Sequence, residues 1–205
     1  MRLLLLALIA TSNPLAAANR IYIGSSLSTE FLEGLEFEVA PEWRSEPSSN
    51  TEKYQADISL SYELLKQLKL GIGYRIGTTD TDGERSDHDR YNLDTKYSLK
   101  WENLTTQLRL RYTDGNDEEG EDKKYIRYRV KFTYNLKELN LSPYIAYEYY
   151  DSLDLNTGKN RHVYIGGIGF ELSERQDLSI GYRWVDKIQS KKDYGVMQTA
   201  YDFSF

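Results

Sequence analysis

The residues of this chain that could do chemistry are basic side chains that recur at every second position. Arg109 and Arg111 lie in one largely apolar segment, and Arg127, Arg129 and Lys131 lie in the next. If these segments pair as neighbouring strands, their like charges come close together, which destabilises a sheet unless anions accompany them. The cluster therefore predicts either nearby carboxylates or a place where anionic solutes bind.

Acidic side chains follow the same spacing elsewhere, most clearly at Glu36, Glu38 and Glu42. We predict that a basic wall and an acidic wall face each other across an interior. The basic wall comprises Arg75, Arg109, Arg111, Arg127, Arg129, Lys131 and Arg183, and the acidic wall comprises Glu36, Glu38, Glu42, Asp57 and Glu148. Either the two walls fill a narrow lumen with salt bridges, or a water-filled slot between them passes small anionic solutes such as uronates.

The elements that position these charges are strands. Charged residues alternate with uncharged, mostly apolar ones over about ten segments, and a period of two predicts β-strands. Tight turns alternate with long polar loops, such as 45–52 and 79–89, which is typical of up-and-down hairpins. The sequence therefore predicts an all-β fold, an antiparallel up-and-down transmembrane β-barrel of about ten strands.

Alternation alone does not decide which face points inward, because a soluble barrel with an apolar interior shows the same period. The apolar face holds more large side chains than the inside of such a barrel can pack. Aromatic residues such as Trp43, Trp101 and Trp184 gather towards strand ends, where the interfaces of a membrane would lie. We therefore predict that the apolar face contacts lipid and that the charged face lines the lumen.

The N-terminal residues predict export. Arg2 precedes the apolar run Leu3–Ile9, and three alanines end at Ala18, which together are typical of a cleaved secretory signal peptide. The apolar run is too short to span a membrane as a helix. The predicted organisation is a signal peptide over 1–18, a periplasmic lead-in over 19–30 and an outer-membrane barrel over 31–205. The segment 19–30 is alternatively a strand, which would make the strand count odd.

Composition excludes several classes of function. The chain has 26 Lys and Arg against 32 Asp and Glu, which disfavours a nucleic-acid partner. It has no cysteine, so disulfides, thiolate metal sites and a cysteine nucleophile are excluded. We predict no cofactor and no bound metal, and we interpret the acidic segment 114–122 as a solvated loop because its spacing does not match an EF-hand loop.

A lipid-modifying enzyme is a minor alternative. Such an enzyme would need Ser or Thr beside His, with an acid to orient the imidazole. His88 lies beside Ser86 in a predicted loop, and His162 could meet Ser152 or Ser190 from neighbouring loops. We predict that the protein has no catalytic residues and is not an enzyme.

The chain ends on alternating aromatic residues, Tyr201, Phe203 and Phe205. This ending resembles the C-terminal β-signal that the barrel-assembly machinery of Gram-negative bacteria reads. The resemblance implies three partners, namely that machinery, the lipid bilayer and lipopolysaccharide. It also implies a location in the cell outer membrane.

Two longer stretches, SPYIAYEYYDSLDLNTGKNRHVYIGGIGFEL and DLSIGYRW, carry a broader likeness. With them, nearly the whole mature chain resembles a family of short outer-membrane barrels that is catalogued as a domain of unknown function, DUF2490. The resemblance implies location and fold and no established activity. A weaker likeness links the chain to the oligogalacturonate-specific porins, whose strand number is larger and from which no residue motif can be transferred.

From these observations we expect an outer-membrane β-barrel that is structural or has a narrow charged lumen. The first alternative is a small porin-like channel for anionic solutes such as acidic oligosaccharides, and the second is the lipid-modifying enzyme.

Overall fold

The computed structural model describes residues 18–116, 122–153, 160–188 and 193–205. They form eleven β-strands and two single-turn 3₁₀ helices, Pro47–Ser49 and Lys137–Leu139. The strands are β1 (Ala18–Leu32), β2 (Leu35–Glu46), β3 (Thr51–Leu65), β4 (Leu68–Thr81), β5 (Glu84–Trp101), β6 (Leu104–Asn116), β7 (Asp122–Tyr134), β8 (Leu141–Ser152), β9 (Arg161–Ser173), β10 (Gln176–Lys187) and β11 (Tyr194–Ser204). No helix among the described residues is long and apolar enough to span a membrane. Residues 1–17 of the predicted signal peptide and residues 117–121 of the acidic loop lie outside the described residues.

The strands form one closed barrel. Each strand pairs antiparallel with the next in sequence, and β1 closes the barrel by pairing in parallel with β11. The closing pair runs from Ala18 opposite Gly195 to Ser28 opposite Ser204, with one register shift between Ala18 and Arg20. Closure leaves no free sheet edge, so every strand has hydrogen-bonding neighbours on both sides. The predicted fold class is confirmed. The structure differs from a fully antiparallel barrel in the parallel pairing of β1 with β11.

The segment 19–30 lies within β1, so the predicted lead-in is wrong and the alternative of an additional strand is correct. Ile21, Ile23 and Leu27 of this strand face outward and are each more than 40% exposed. Arg20 and Tyr22, which alternate with these residues along the strand, line the interior. The alternation of this segment is diluted by Gly and Ser, which made it a weak strand signal, and its inclusion brings the number of strands to eleven.

Two of the predicted loops are largely strand. β4 and β5 extend into the predicted loop 79–89 and leave only the turn Asp82–Gly83, while the loop 45–52 shortens to 47–50. Both Asp82 and Gly83 have positive φ, which an Asp-Gly turn of a tight hairpin requires. The part of a strand that extends beyond the apolar band of the barrel carries polar residues on both faces. Its sequence therefore lacks the alternation that predicts a strand and is interpreted as a polar loop.

The outer face of the barrel is apolar and exposed. Ile72, Leu93 and Ile145, on three different strands, are 58%, 55% and 63% exposed. We call the end of the barrel that carries the β4–β5 hairpin the loop end, and the opposite end, with turns such as that at 33–34, the turn end. The inner face carries the charged residues between these two ends.

The interior divides into a filled side and an open side. The filled side lies against β8 to β11, where the buried core consists of Ala146, Tyr150, Val163, Ile165, Val185, Tyr194 and Val196. Side chains fill the interior of most small barrels. Here the open space lies mainly against β2 to β7, so the lumen is displaced from the barrel axis.

Tyr144 shows how closely the filled side is packed. A Cβ atom on Gly167 would lie 2.5 Å from the Tyr144 hydroxyl and 2.6 Å from the carbonyl oxygen of Ile180, and one on Gly181 would lie 2.7 Å from the same hydroxyl. The Lys131 ammonium lies 4.5 Å from the centre of the tyrosine ring. The two glycines therefore form a recess that holds the ring of Tyr144 against the wall and out of the lumen.

We expect Gly167→Ala to lower the free energy of unfolding by about 1–3 kcal/mol, because the added methyl group overlaps Tyr144 and the backbone. Gly166→Ala is the matched control, since no atom lies within 4 Å of its Cβ position. Denaturant unfolding of the reconstituted barrel, followed by tryptophan fluorescence, measures the free energy of unfolding of both variants. Equal effects of the two substitutions would contradict the recess.

Candidate functional site

The candidate site is a cavity of about 1010 Å³ inside the barrel. Ser59 lies opposite Gly73, and Ser61 lies opposite Gly71, so β3 and β4 present little side-chain bulk to the cavity at these two residue pairs. A Cβ atom at either glycine would meet its nearest neighbour at 3.4 Å, a distance at which that neighbour needs to give way only slightly. Packing therefore does not demand these two glycines, and their effect is to widen the lumen.

The residues predicted to form the two walls project into this interior. Eleven of the twelve line the cavity, and Lys131 is held over Tyr144. The cavity-lining residues are Arg75, Arg109, Arg111, Arg127, Arg129 and Arg183 together with Glu36, Glu38, Glu42, Asp57 and Glu148.

Asp94 on β5 neutralises the first pair of arginines. Its carboxylate accepts hydrogen bonds from Arg109 Nε at 2.6 Å and from Arg111 Nη2 at 2.7 Å. The side chain of Asp94 is only 8% exposed. One buried carboxylate therefore supports two guanidinium groups, and Asp94 is a site residue that the predicted walls omitted.

Glu148 on β8 neutralises the second pair. It is fully buried, with Arg129 Nε 3.5 Å and Arg127 Nη1 4.0 Å from its carboxylate oxygens. The Tyr150 hydroxyl donates a hydrogen bond to it at 3.0 Å. Glu148 was assigned to the acidic wall, but it belongs to the basic side of the lumen, where it lies directly opposite Arg129.

Three of the four remaining acids of the predicted wall, Asp57, Glu36 and Glu42, also pair with close neighbours. Asp57 accepts two hydrogen bonds from Arg75, which lies opposite it on the adjacent strand. Glu36 accepts one from Lys69 at 3.0 Å, and Glu42 accepts one from Arg44 on its own strand. Among the described residues the acids of β2 form no ion pair with the basic residues of β6 and β7, because side chains on the same side of the lumen come within reach of one another and those of the far wall do not.

After this pairing the basic side keeps an excess of positive charge, because its nine cations outnumber the carboxylates that pair with them. The cavity-lining cations of β4 to β7 are Lys69, Arg75, Arg90, Lys96, Arg109, Arg111, Lys124, Arg127 and Arg129. Among the described cavity-lining residues of these four strands, Asp94 is the only carboxylate. Sequence analysis missed Arg90, which lies at the end of a predicted loop, although it lies directly opposite Arg75 on the adjacent strand.

The described residues do not bring together the His162–Ser152 pair that the alternative of a lipid-modifying enzyme would use. His162 faces outward, where its Nδ1 lies 2.7 Å from the Tyr147 hydroxyl, whereas Ser152 faces the cavity on the other side of the sheet. His88 is buried on β5 beside Gly77. Ser190 lies outside the described residues, and within the described ranges no group of three or more His, Asp or Glu could hold a metal ion.

We expect Glu148→Gln to lower the free energy of unfolding by about 3–5 kcal/mol, because it leaves Arg127 and Arg129 without their anion. Glu36→Gln, which breaks the more exposed pair with Lys69, should cost about 1 kcal/mol or less. Denaturant titration of both variants in the same lipid tests the difference. If the two variants unfold at the same denaturant concentration, Glu148 does not hold the arginines as its contacts indicate.

A closed barrel with a charged lumen and an apolar exterior is porin-like in architecture. Residues 19–194 match the model of a family described as a protein of unknown function, DUF2490, and the chain belongs to this family. No protein with a curated function matches the sequence.

Solved structures of larger barrels are similar to the chain. An anion-selective porin from Comamonas acidovorans is 17% identical, with 85% of this chain and 54% of that one covered and a TM-score of 0.41. OccAB4 of Acinetobacter baumannii is 14% identical, with 82% and 49% covered and a TM-score of 0.40. This chain therefore spans about half the length of those two proteins.

Proposed function

We propose that the protein is an outer-membrane β-barrel whose narrow, off-centre lumen passes small anions. The observation that carries the proposal is the composition of the cavity wall on β4 to β7. It holds nine cations among the described residues, and the cavity-lining carboxylates that pair with them, Asp94, Glu148, Asp57 and Glu36, are too few to neutralise it. Charged side chains that line a water-filled path select ions of the opposite sign. A cavity whose wall is this basic would favour anions.

The outer face supports a membrane location. Its exposed residues are apolar over the middle of each strand, and tyrosines lie between this band and the acidic residues of the loop end. Tyr74 donates a hydrogen bond to Asp89 at 3.0 Å, and Tyr112 donates one to Asp114 at 3.0 Å. Aromatic residues with a polar tip suit the boundary between hydrocarbon and water. The acidic residues beyond them would lie at the level of lipopolysaccharide.

The ends of the sequence support export and assembly. In this proposal the signal peptide is cleaved near Ala18, and the barrel-assembly machinery reads Tyr201, Phe203 and Phe205. The last strand pairs with β10 on one side and β1 on the other, and the backbone N–H of Phe205 donates to the carbonyl oxygen of Ser28 at 3.0 Å. The assembly machinery would thus bind the same strand that closes the barrel.

A structural barrel without conduction is the second candidate. The complete burial of Glu148 and the filled side against β8 to β11 favour it, because both reduce the open cross-section. The two candidates differ in one measurable property, the ionic current across a bilayer.

We expect the purified protein to conduct in a planar bilayer with a preference for anions, and Arg90→Gln combined with Lys96→Gln to reduce the anion-to-cation permeability ratio at least about twofold. No carboxylate among the described residues lies within ion-pair distance of Arg90 or Lys96, so the exchange breaks no salt bridge and removes only the longer-range attraction of Lys96 for Glu38 and of Arg90 for Asp57. The control is Arg85→Gln, an exposed residue at the tip of the β4–β5 hairpin. The control should keep the preference of the unmodified protein.

An electrically silent bilayer that contains folded protein would reject the channel and favour the structural barrel. A current whose anion preference is the same in the double variant and in the unmodified protein would reject the basic wall as its cause.

A further inference from the structure

A second group of cations lies at the loop end of the lumen, on β1, β9 and β10, beside Arg127 of β7, which also contacts Tyr150. Arg161 begins β9, Lys187 ends β10 directly opposite it, and Arg20 lies near the start of β1. All three line the cavity together with Tyr194. We call Arg20, Arg161 and Lys187, with Tyr150 and Tyr194, the mouth cluster.

Two tyrosines hold the cations of the mouth cluster. The guanidinium carbon of Arg20 lies 3.7 Å from the ring centre of Tyr194, and that of Arg161 lies 4.0 Å from the ring centre of Tyr150. The Lys187 ammonium is 5.4 Å from the centre of the Tyr194 ring. An aromatic face attracts a cation, and a guanidinium group held over a ring keeps its N–H edge available for hydrogen bonds.

The carboxylates beside the cluster bond to Arg20 and to Lys187 and not to Arg161. Glu46 accepts a hydrogen bond from Arg20 at 2.7 Å, and Asp193 accepts one from the backbone N–H of Lys187 at 3.2 Å. No carboxylate among the described residues lies within ion-pair distance of Arg161. Arg161 therefore faces the cavity with its charge uncompensated in the described part of the chain, which is costly away from bulk water unless an anion arrives.

The chemistry of the cluster restricts what it can bind. Tyr150 and Tyr194 are only 6% and 9% exposed, so a ligand cannot stack on their rings. What remains accessible is the N–H edge of a guanidinium group, whose planar fork matches the oxygens of a phosphate or a carboxylate. The cluster is therefore suited to recognise a charged oxyanion group and not the ring of a sugar or an aromatic solute.

We propose that the mouth cluster is an oxyanion-binding site, with Arg161 as its main donor, that captures the phosphate or carboxylate group of a solute at the loop end of the lumen. This inference rests on the proposed function, since the site would supply the channel with its preferred anions. A weak site at the mouth raises the local concentration of a solute while still allowing it to leave.

The first experiment measures block of the chloride current by inorganic phosphate in a planar bilayer. Phosphate should reduce the current of the unmodified protein in a saturable manner. Arg161→Gln should raise the half-blocking concentration about tenfold, because it removes a charge-assisted hydrogen bond. Arg161→Lys should restore part of the block, and the control Arg85→Gln should leave it unchanged.

The second experiment measures phosphate binding by calorimetry on the full chain in detergent, and it does not depend on conduction. Binding should be detectable in the unmodified protein, weakened in Arg161→Gln and partly restored in Arg161→Lys. Glucose 1-phosphate should bind, which would place the recognition on the phosphate group, whereas glucose should not. Circular dichroism of each variant confirms that the barrel is folded.

The outcomes separate the two proposals. If the protein conducts anions but phosphate neither blocks nor binds, the mouth cluster is not an oxyanion site and the channel stands. If the protein does not conduct but phosphate binding depends on Arg161, the site stands and the channel is rejected. Equal phosphate binding by Arg161→Gln and the unmodified protein would overturn the inference.

Discussion

Hydrocarbon offers no hydrogen-bonding partner to a peptide group, and in the proposed membrane location the architecture of this barrel depends on that constraint. Every strand needs a neighbour on both sides, so the sheet must close, and β1 achieves this by pairing with β11. Closure divides the side chains of each strand into an outer set and an inner set. The outer set is restricted to uncharged residues in the apolar band, so the charged residues of β4 to β7 are directed to the interior.

Inside the barrel, distance decides which ion pairs form. Directly opposite side chains on paired strands lie about 5 Å apart, much closer than the two sides of the lumen. Asp94 and Glu148 therefore neutralise arginines on adjacent strands. Glu36 on β2 pairs with Lys69 on β4, two strands away on the same side of the lumen. Local pairing stabilises each wall but does not equalise the two. The net charge that remains on each wall sets the electric field that a solute inside the cavity would experience.

The fold was predictable from the sequence wherever the apolar band itself creates the pattern. Period two fails as a signal where that cause is absent, in the Gly- and Ser-containing segment 19–30 and in the part of the β4–β5 hairpin beyond the band. The inward direction of the charged residues was predictable for the same reason. The carboxylates that pair with the arginines were not predictable, because the strand register decides whether Asp94 or an acid of β2 comes within reach. The register is not encoded in the period of the sequence. Arg90 was missed because its strand segment reads as a loop.

The β4–β5 hairpin extends beyond the apolar band and ends in the turn Asp82–Gly83. Nothing lies within 4 Å of the Cβ position of Gly83, and the ladder between the two strands holds the hairpin together without help from the barrel interior. Exposed turns of this kind tolerate added sequence. In the proposed membrane location, this hairpin would stand above the bilayer, where an inserted peptide would be displayed to the surrounding water.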